Sequence, residues 1–196
     1  MKTLRYAIVG TGMMGQEHLR NLALVNETQT WNTDVLALID PDVPMRTEAT
    51  ELAHSLGFTS ATAHESLATV NMDDIDAFVI VSPNFTHHAI ITELLPSGKA
   101  ILAEKPVCTK LEHCDDLLQR LEGYPAPFWV AMEYRYMPPT ARFIERLNSG
   151  ELGNMRMLTI KEHRYPFLEK VGDWNRFSEN TGGTLVEKCC LSLIHI

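Results

Sequence analysis

A doubly wound α/β fold on a parallel sheet is predicted by three features of this 196-residue chain. Short apolar runs alternate with stretches of helical period as far as Leu121, the pattern of successive βαβ units. The first run leads directly into Gly10-Thr-Gly12-Met-Met-Gly15, a Gly-x-Gly-x-x-Gly turn between strand and helix. The second run ends in an acid, Asp40.

Taken in order, Leu4–Val9 is the first expected strand. Gly10 lets the chain turn sharply, Gly12 lets backbone approach a pyrophosphate, and Gly15 lets the following helix pack close to the sheet. Phosphate oxygens at such a turn meet the free N–H groups of the first helical residues, Met13 and Met14, and the positive end of the helix dipole. Gly15, Leu19, Leu22 and Ala23 share one helix face, which predicts that they pack on the sheet. Val35–Ile39 is the second strand, and its long spacing from the glycines predicts a loop over Glu27–Thr33. Ala77–Val81 and Lys99–Ala103 follow as strands. Thr109-Lys-Leu-Glu112 has the form of a capping box and opens a helix carrying Leu111, Cys114, Leu118 and Leu121. At Gly123-Tyr-Pro-Ala-Pro127 the pattern breaks, which places a domain boundary there: residues 1–123, then 124–196. In the second part, Pro138-Pro139 starts a helix through Phe143, Ile144 and Leu147, and Asn154 to Lys161 alternates as a strand does.

Composition narrows the classes. Hydrophobic residues make up 45% and charged residues 21%, values of an ordinary globular chain. The net charge of −8 has no basic cluster within it, which argues against nucleic acid as a partner. The apolar runs are too short to span a bilayer and the first residues lack a secretory pattern, so the expected compartment is the cytoplasm. The four cysteines form no C-x-x-C pair, which predicts free thiols and no metal site.

Three polar groups fall at carboxyl ends of strands, where open α/β sheets collect ligands. Asp40 is placed to accept both hydroxyls of an adenosine ribose, each charge-assisted bond contributing roughly 1.5–3 kcal/mol. It would repel a 2′-phosphate by about 4 kcal/mol at ~4 Å for an effective dielectric of about 20, so NAD is expected over NADP. Ser82-Pro83-Asn84-Phe-Thr-His87 follows the third strand, with His87 a candidate hydrogen-bonding group for cofactor or substrate and, equally, an ordinary loop residue; His88 is assigned to structure. Glu104-Lys105-Pro106 ends the next strand. Lys105 there is a candidate acid–base group for an alcohol proton, with Pro106 fixing the backbone that aims it.

Taken together, these residues resemble the Gfo/Idh/MocA family of nicotinamide-dependent oxidoreductases. The resemblance rests on the glycine turn, Asp40, Ser82 to His87, Glu104-Lys105-Pro106, a strand over Met132-Glu-Tyr-Arg-Tyr136, and Thr181-Gly-Gly-Thr-Leu-Val-Glu187-Lys188. It implies a Rossmann domain followed by an α/β domain with an open, largely antiparallel sheet, here incomplete. It also implies oxidation of sugars, inositols and related polyols or reduction of the matching ketones, homo-oligomers, and Lys105 as the proton-handling residue. The same family usually carries Asp and, four residues on, His after the double glycine. Glu187 stands at the Asp place and Leu191 at the His place, which predicts absent or weak catalysis. Arg135, Trp174 and Arg176 are candidate substrate contacts. The last six residues, Leu191-Ser-Leu-Ile-His-Ile196, can be encoded by a sequence resembling the transposon end used in library construction, and are expected to be translated adapter. His195 is therefore not recruited as a catalytic histidine. A non-catalytic dinucleotide sensor on the same fold is the competing expectation.

Overall fold

The computed structural model describes residues 2–159, 161 and 169–193. Thr3–Val9 (β1), Asn32–Ile39 (β2), Thr62–His64 (β3), Ala77–Ile80 (β4), Ala100–Glu104 (β5) and Phe128–Ala131 (β6) form one sheet. Its order is β3-β2-β1-β4-β5-β6 and every pair is parallel. This is the doubly wound order in which the connection reverses between β1 and β4, and the crevice above that point is where such sheets bind ligands.

Alternation along each strand divides the core between two faces. Ala7, Val9, Ala37, Ile39, Phe78, Ile80, Ile101 and Ala103 face one way, against Ile91 and Leu94 of α3 (His87–Leu94) and Leu117 of α4 (Leu111–Arg120). Ile8, Leu38 and Val79 face the other, against Leu19 of α1 (Met13–Glu27) and Ala49 and Ala53 of α2 (Val43–Ser55). Leu19 is fully buried, and truncating it to alanine would cost about 2–5 kcal/mol through lost burial and the cavity left behind. Helix α2 starts where it does because Asp42 caps it, accepting a 2.9 Å bond from the Met45 N–H, with a proline at the first positions.

Several expectations give way here. Phe128–Ala131, assigned from sequence to a second domain, pairs with β5 as the sixth strand, so the parallel unit runs past residue 123 to Ala131. The strand β3 was not foreseen, being three residues long and polar on its outer positions. The expected Glu27–Thr33 loop shrinks to the residues between α1 and β2, because α1 continues to Glu27 and β2 begins at Asn32. The capping box does not form: α4 starts at Leu111 with Lys110 as its cap residue and no side-chain cap bond, so Thr109 stands one position too early. Its buried stripe is Leu117 flanked by Cys114 and Leu121, leaving Leu111 and Leu118 exposed one stripe further round.

Beyond β6, Glu133–Tyr136 is a 3₁₀ turn where the resemblance implied a strand. Pro138–Asn148 (α5) forms as expected. Asn154 to Thr159 is irregular, since none of the described residues pairs with it, and Ile160 lies outside the described residues. Val171–Arg176 is a 3₁₀ segment, Ser178–Thr181 (α6) a single helical turn, Leu185–Cys189 a π turn and Cys190–Leu193 (α7) its continuation. Among the described residues no strand follows Ala131, so the open antiparallel sheet is not seen. His195 lies outside the described residues.

Candidate active site

The glycine turn assigns a separate task to each glycine. Gly10 has φ +99°, and a Cβ there would stand 2.5 Å from the backbone nitrogen of Ser82. Its N–H donates to the Ile39 carbonyl at 2.8 Å, so the turn is clamped between the ends of β2 and β4. A Cβ on Gly15 would lie 2.3 Å from the Gly10 carbonyl oxygen, which is why α1 can sit so close to β1 only with glycine at that position. Around Gly12 a Cβ would meet nothing within 4 Å, and the residue faces open space. Gly12 is also the cap residue of α1 and makes no side-chain cap bond, which leaves the first N–H groups of the helix for a ligand.

That open space belongs to a cavity of about 2060 Å³ along the carboxyl ends of β1, β2, β4 and β5. Gly10, Gly12, Met13, Met14, Asp40, Ser82, Pro83, Asn84, Glu104, Lys105, Trp174 and Glu187 all border it, most of the set the sequence singled out. Asp40 is fixed by two backbone donors, Thr11 N–H at 2.8 Å to Oδ2 and Asp42 N–H at 2.9 Å to Oδ1. Each carboxylate oxygen retains a further lone pair for a ribose hydroxyl. Asn84 is buried with no partner for its Nδ2 among the described residues, and it borders the same cavity. An uncapped helix start, a fixed acid and an unsatisfied amide along one crevice fit a dinucleotide.

His87 is corrected by the structure. It is fully buried beneath the cavity, not in its wall, with Nδ1 2.9 Å from the Pro106 carbonyl and Nε2 2.9 Å from the Ser82 carbonyl. Both ring nitrogens face backbone carbonyls, and the ring joins the Ser82 loop to the Lys105-Pro106 turn, whose peptide bond is cis. A neutral imidazole donates to one carbonyl only. Burial pushes the His87 pKa down, and it outweighs the two carbonyls and Glu104, which act in the opposite direction.

At the end of β5, Glu104 accepts the Lys105 N–H at 3.1 Å and lies 3.0 Å from Nε2 of His18 on α1. His18 was missed in the sequence, because only the fold brings α1 beside β5. Lys105 Nζ donates to the Glu187 carbonyl at 3.4 Å, and Lys188 Nζ lies 3.0 Å from Glu187 Oε1. Both candidate catalytic residues thus meet at one end of the cavity. Leu191, at the place of the expected histidine, is fully buried. Lys170, Glu169 and Phe85 were also missed and border the cavity; Phe85 meets Trp174 edge to face at 6.4 Å. Burial first, and then the Lys188 charge, lower the Lys170 pKa.

Two expected substrate contacts are elsewhere. Arg176 is exposed, paired with Asp173 at 3.0 Å, and does not border the cavity. Arg135 borders a second, smaller groove with Trp129, Tyr136 and Ile144. The four cysteines are free, and burial together with neighbouring Cys114 pushes the Cys108 thiol up to about 12, which keeps it protonated. Among the described residues no cluster of three His, Cys, Asp or Glu suits a metal, and no helix is long and apolar enough to cross a membrane.

Sheet order, glycine turn and fixed acid define a dinucleotide-binding Rossmann protein. Residues 4–132 match the oxidoreductase family with an NAD-binding Rossmann fold, and the chain belongs to this Gfo/Idh/MocA family. Inositol 2-dehydrogenase 1 of Paenarthrobacter aurescens is 34% identical over 166 residues, covering 84% of this chain and 47% of that protein. The 2,7-anhydro-N-acetylneuraminate hydratase of Mediterraneibacter gnavus is 22% identical over 185 residues, 94% of this chain and 46% of that one. Among solved structures, a myo-inositol dehydrogenase from Corynebacterium glutamicum superposes with a TM-score of 0.73 at 24% identity, covering 98% of this chain and 53% of the other, a likeness of fold. The Lactobacillus casei myo-inositol dehydrogenase in complex with NAD(H) and myo-inositol gives 0.69 at 25% identity, over 78% and 43% of the two chains. The chain spans about half the length of the curated relatives it matches.

Proposed function

We propose that the whole protein transfers hydride between nicotinamide and a secondary alcohol or ketone of a sugar or cyclitol. The observation that carries this reading is the shared cavity: Lys105 enters, from the end of β5, the same crevice that Gly12 and Asp40 border. The inositol dehydrogenases among the relatives support the substrate class. NAD, held at the glycine turn and Asp40, supplies the hydride acceptor. Lys105 takes or returns the hydroxyl proton; Glu104 fixes its backbone, and Glu187 holds the ammonium through its carbonyl and assists through its carboxylate. Pro83 and Asn84 line the wall and Trp174 offers an apolar face to the substrate. The domain change is proposed between β6 and α5, and the whole protein is proposed to be a cytoplasmic homo-oligomer.

For the 196-residue chain itself, Leu191 favours a second reading, a non-catalytic dinucleotide binder, since a buried leucine offers no hydrogen bond where the resemblance implies a histidine. One experiment separates the two. In the gene's full-length product, Lys105→Ala should lower kcat by about 10²-fold or more while NADH affinity is kept. A sensor would show no turnover to lose and would keep its response. The 196-residue chain should turn over polyols far below the enzymatic range, and turnover of about 1 s⁻¹ or faster would refute that expectation.

A further inference from the structure

Lys105 is held at its backbone from both sides, and each hold ends in an imidazole. On the amino side its N–H donates to Glu104 Oε2 at 3.1 Å, and the other oxygen of that carboxylate, Oε1, lies 3.0 Å from Nε2 of His18. An ionised carboxylate only accepts, so the hydrogen of this bond is carried by His18 Nε2. On the carboxyl side the Pro106 carbonyl lies 2.9 Å from Nδ1 of His87. The side chain has less to direct it: among the described residues, Nζ makes the 3.4 Å bond to the Glu187 carbonyl. The direction in which the ammonium enters the cavity is therefore set mainly where the chain leaves β5.

The two imidazoles differ in what they can move. His87 is fully buried between two carbonyls. His18 comes from α1, and its side chain is 17% exposed against 13% for Glu104. Glu104 borders the cavity and His18 does not, so the ring stands behind the carboxylate. The bond from Glu104 to the next residue's N–H leaves the carboxylate free to turn about its last torsion, which is a soft one. A charge-assisted bond from His18, 86 residues away in sequence, removes that freedom. Helix α1 does not depend on this bond for its seat, because Gly15 and the buried Leu19 already pack it on the sheet. Loss of the His18 bond therefore acts on Glu104 and not on the helix.

We propose that His18 is a positioning residue: through Glu104 it holds the Lys105 N–H and so aims the Lys105 ammonium from behind the cavity. Its effect on turnover rests on the oxidoreductase reading above; the hold on Lys105 does not. The two are measured separately.

In the 196-residue chain, amide hydrogen exchange followed by NMR reads the hold directly. His18→Leu should speed exchange of the Lys105 N–H by about tenfold or more, while the Leu102 and Ala103 N–H groups, within the paired length of β5, stay within about twofold of the parent. His18→Gln, whose side-chain N–H can meet the same oxygen, should keep the parent's rate. Unchanged exchange at Lys105 in His18→Leu overturns the inference. An equal rise along β5 overturns it too, since His18 would then merely tie α1 to the sheet. In the full-length product, His18→Leu should lower kcat by about tenfold or more with KM within about twofold, and His18→Gln should restore it. In a Glu104→Ala background His18→Leu should cost nothing further. A loss confined to KM, or one that persists in full without Glu104, also overturns the inference. If the exchange results hold and the full-length product shows no turnover at all, the dehydrogenase reading falls and the tie between His18 and Lys105 stands.

Discussion

Gly12 and Gly15 lie three residues apart in one motif, yet substitution of each should damage a different property. In Gly15→Ala the new Cβ would stand 2.3 Å from the Gly10 carbonyl oxygen, and contacts under 3.0 Å are essentially never seen. Helix α1 must therefore retreat from the turn by about 0.7 Å, the difference between those distances. The retreat loosens Leu19 from Ile8 and Leu38 on a close-packed face, and overpacking of this kind costs about 1–3 kcal/mol. With a urea dependence of roughly 2 kcal/mol per molar, the unfolding midpoint should fall by about 0.5–1.5 M. In Gly12→Ala, φ is −68° and the Cβ meets nothing within 4 Å, so the midpoint should stay within about 0.25 M of the parent, equivalent to about 0.5 kcal/mol. The methyl group would instead occupy the crevice at the helix start, and NADH affinity should fall by about tenfold or more, read from nicotinamide fluorescence. If Gly15→Ala unfolds at the parent's urea concentration, or if Gly12→Ala keeps full NADH affinity, the division of labour argued for the turn is wrong.

Replacing Asp40 by Ser removes the charge that repels a 2′-phosphate, and the NADPH-to-NADH affinity ratio should rise by at least about tenfold; at most about 4 kcal/mol is available at ~4 Å. An unchanged ratio in competition fluorescence would place the ribose elsewhere. The variant should also lose some stability, because the Thr11 and Asp42 N–H groups both donate to that carboxylate. His87 carries a folded-state pKa below its unfolded value of 6.5, so the unfolded chain binds the proton first as pH falls. Stability is complete above 6.5 and declines between 6.5 and the lower folded pKa. His87→Gln should be less stable than the parent at about pH 7.5 and should show a shallower loss towards about pH 5.5, measured as the urea midpoint. Equal slopes would mean that the ring is not the titrating group. Leu191→His in the 196-residue chain should leave NADH affinity unchanged, because Leu191 does not border the cavity. A fall in affinity would show that this helix start shapes the cofactor crevice.

What could be read from the sequence followed the range of the interaction. The glycine turn was legible because each requirement is local: a positive φ at Gly10, open space at Gly12 and a missing Cβ at Gly15. Asp40 and Lys105 were legible because a strand's end fixes their place. His87 was ambiguous, since its burial depends on Pro106 returning to it from nineteen residues away. The sixth strand was assigned to another domain because the prolines before it are a stronger local signal than a parallel pairing with β5, which no periodicity encodes. Arg176 was recruited on its residue type, and its partner proved to be Asp173 in the same turn. His18 carried no local signal, since it acquires its role from a neighbour, Glu104, that only the fold supplies.

These placements separate holding the cofactor from doing chemistry with it. The groups that fit the dinucleotide lie on β1, β2, β4, β5 and the start of α1, a unit with packed cores on both faces of the sheet. Those set around Lys105, namely Lys170, Glu187 and Lys188, come from the segment after Ala131, whose described residues form turns and short helices. Among the described residues, its hydrogen bond to Lys105 is the long one from Nζ to the Glu187 carbonyl. A site joined this way can retain NADH while its chemistry fails, because a lysine displaced by about 1 Å from its reacting atom loses much of its rate and the glycine turn does not move. With leucine at the place of the expected histidine, this chain also lacks the donor that the resemblance implied there, and such a group contributes typically about 10²–10⁴-fold. NADH affinity without turnover is therefore the behaviour expected of this chain, and the dehydrogenase reading is tested on the full-length product.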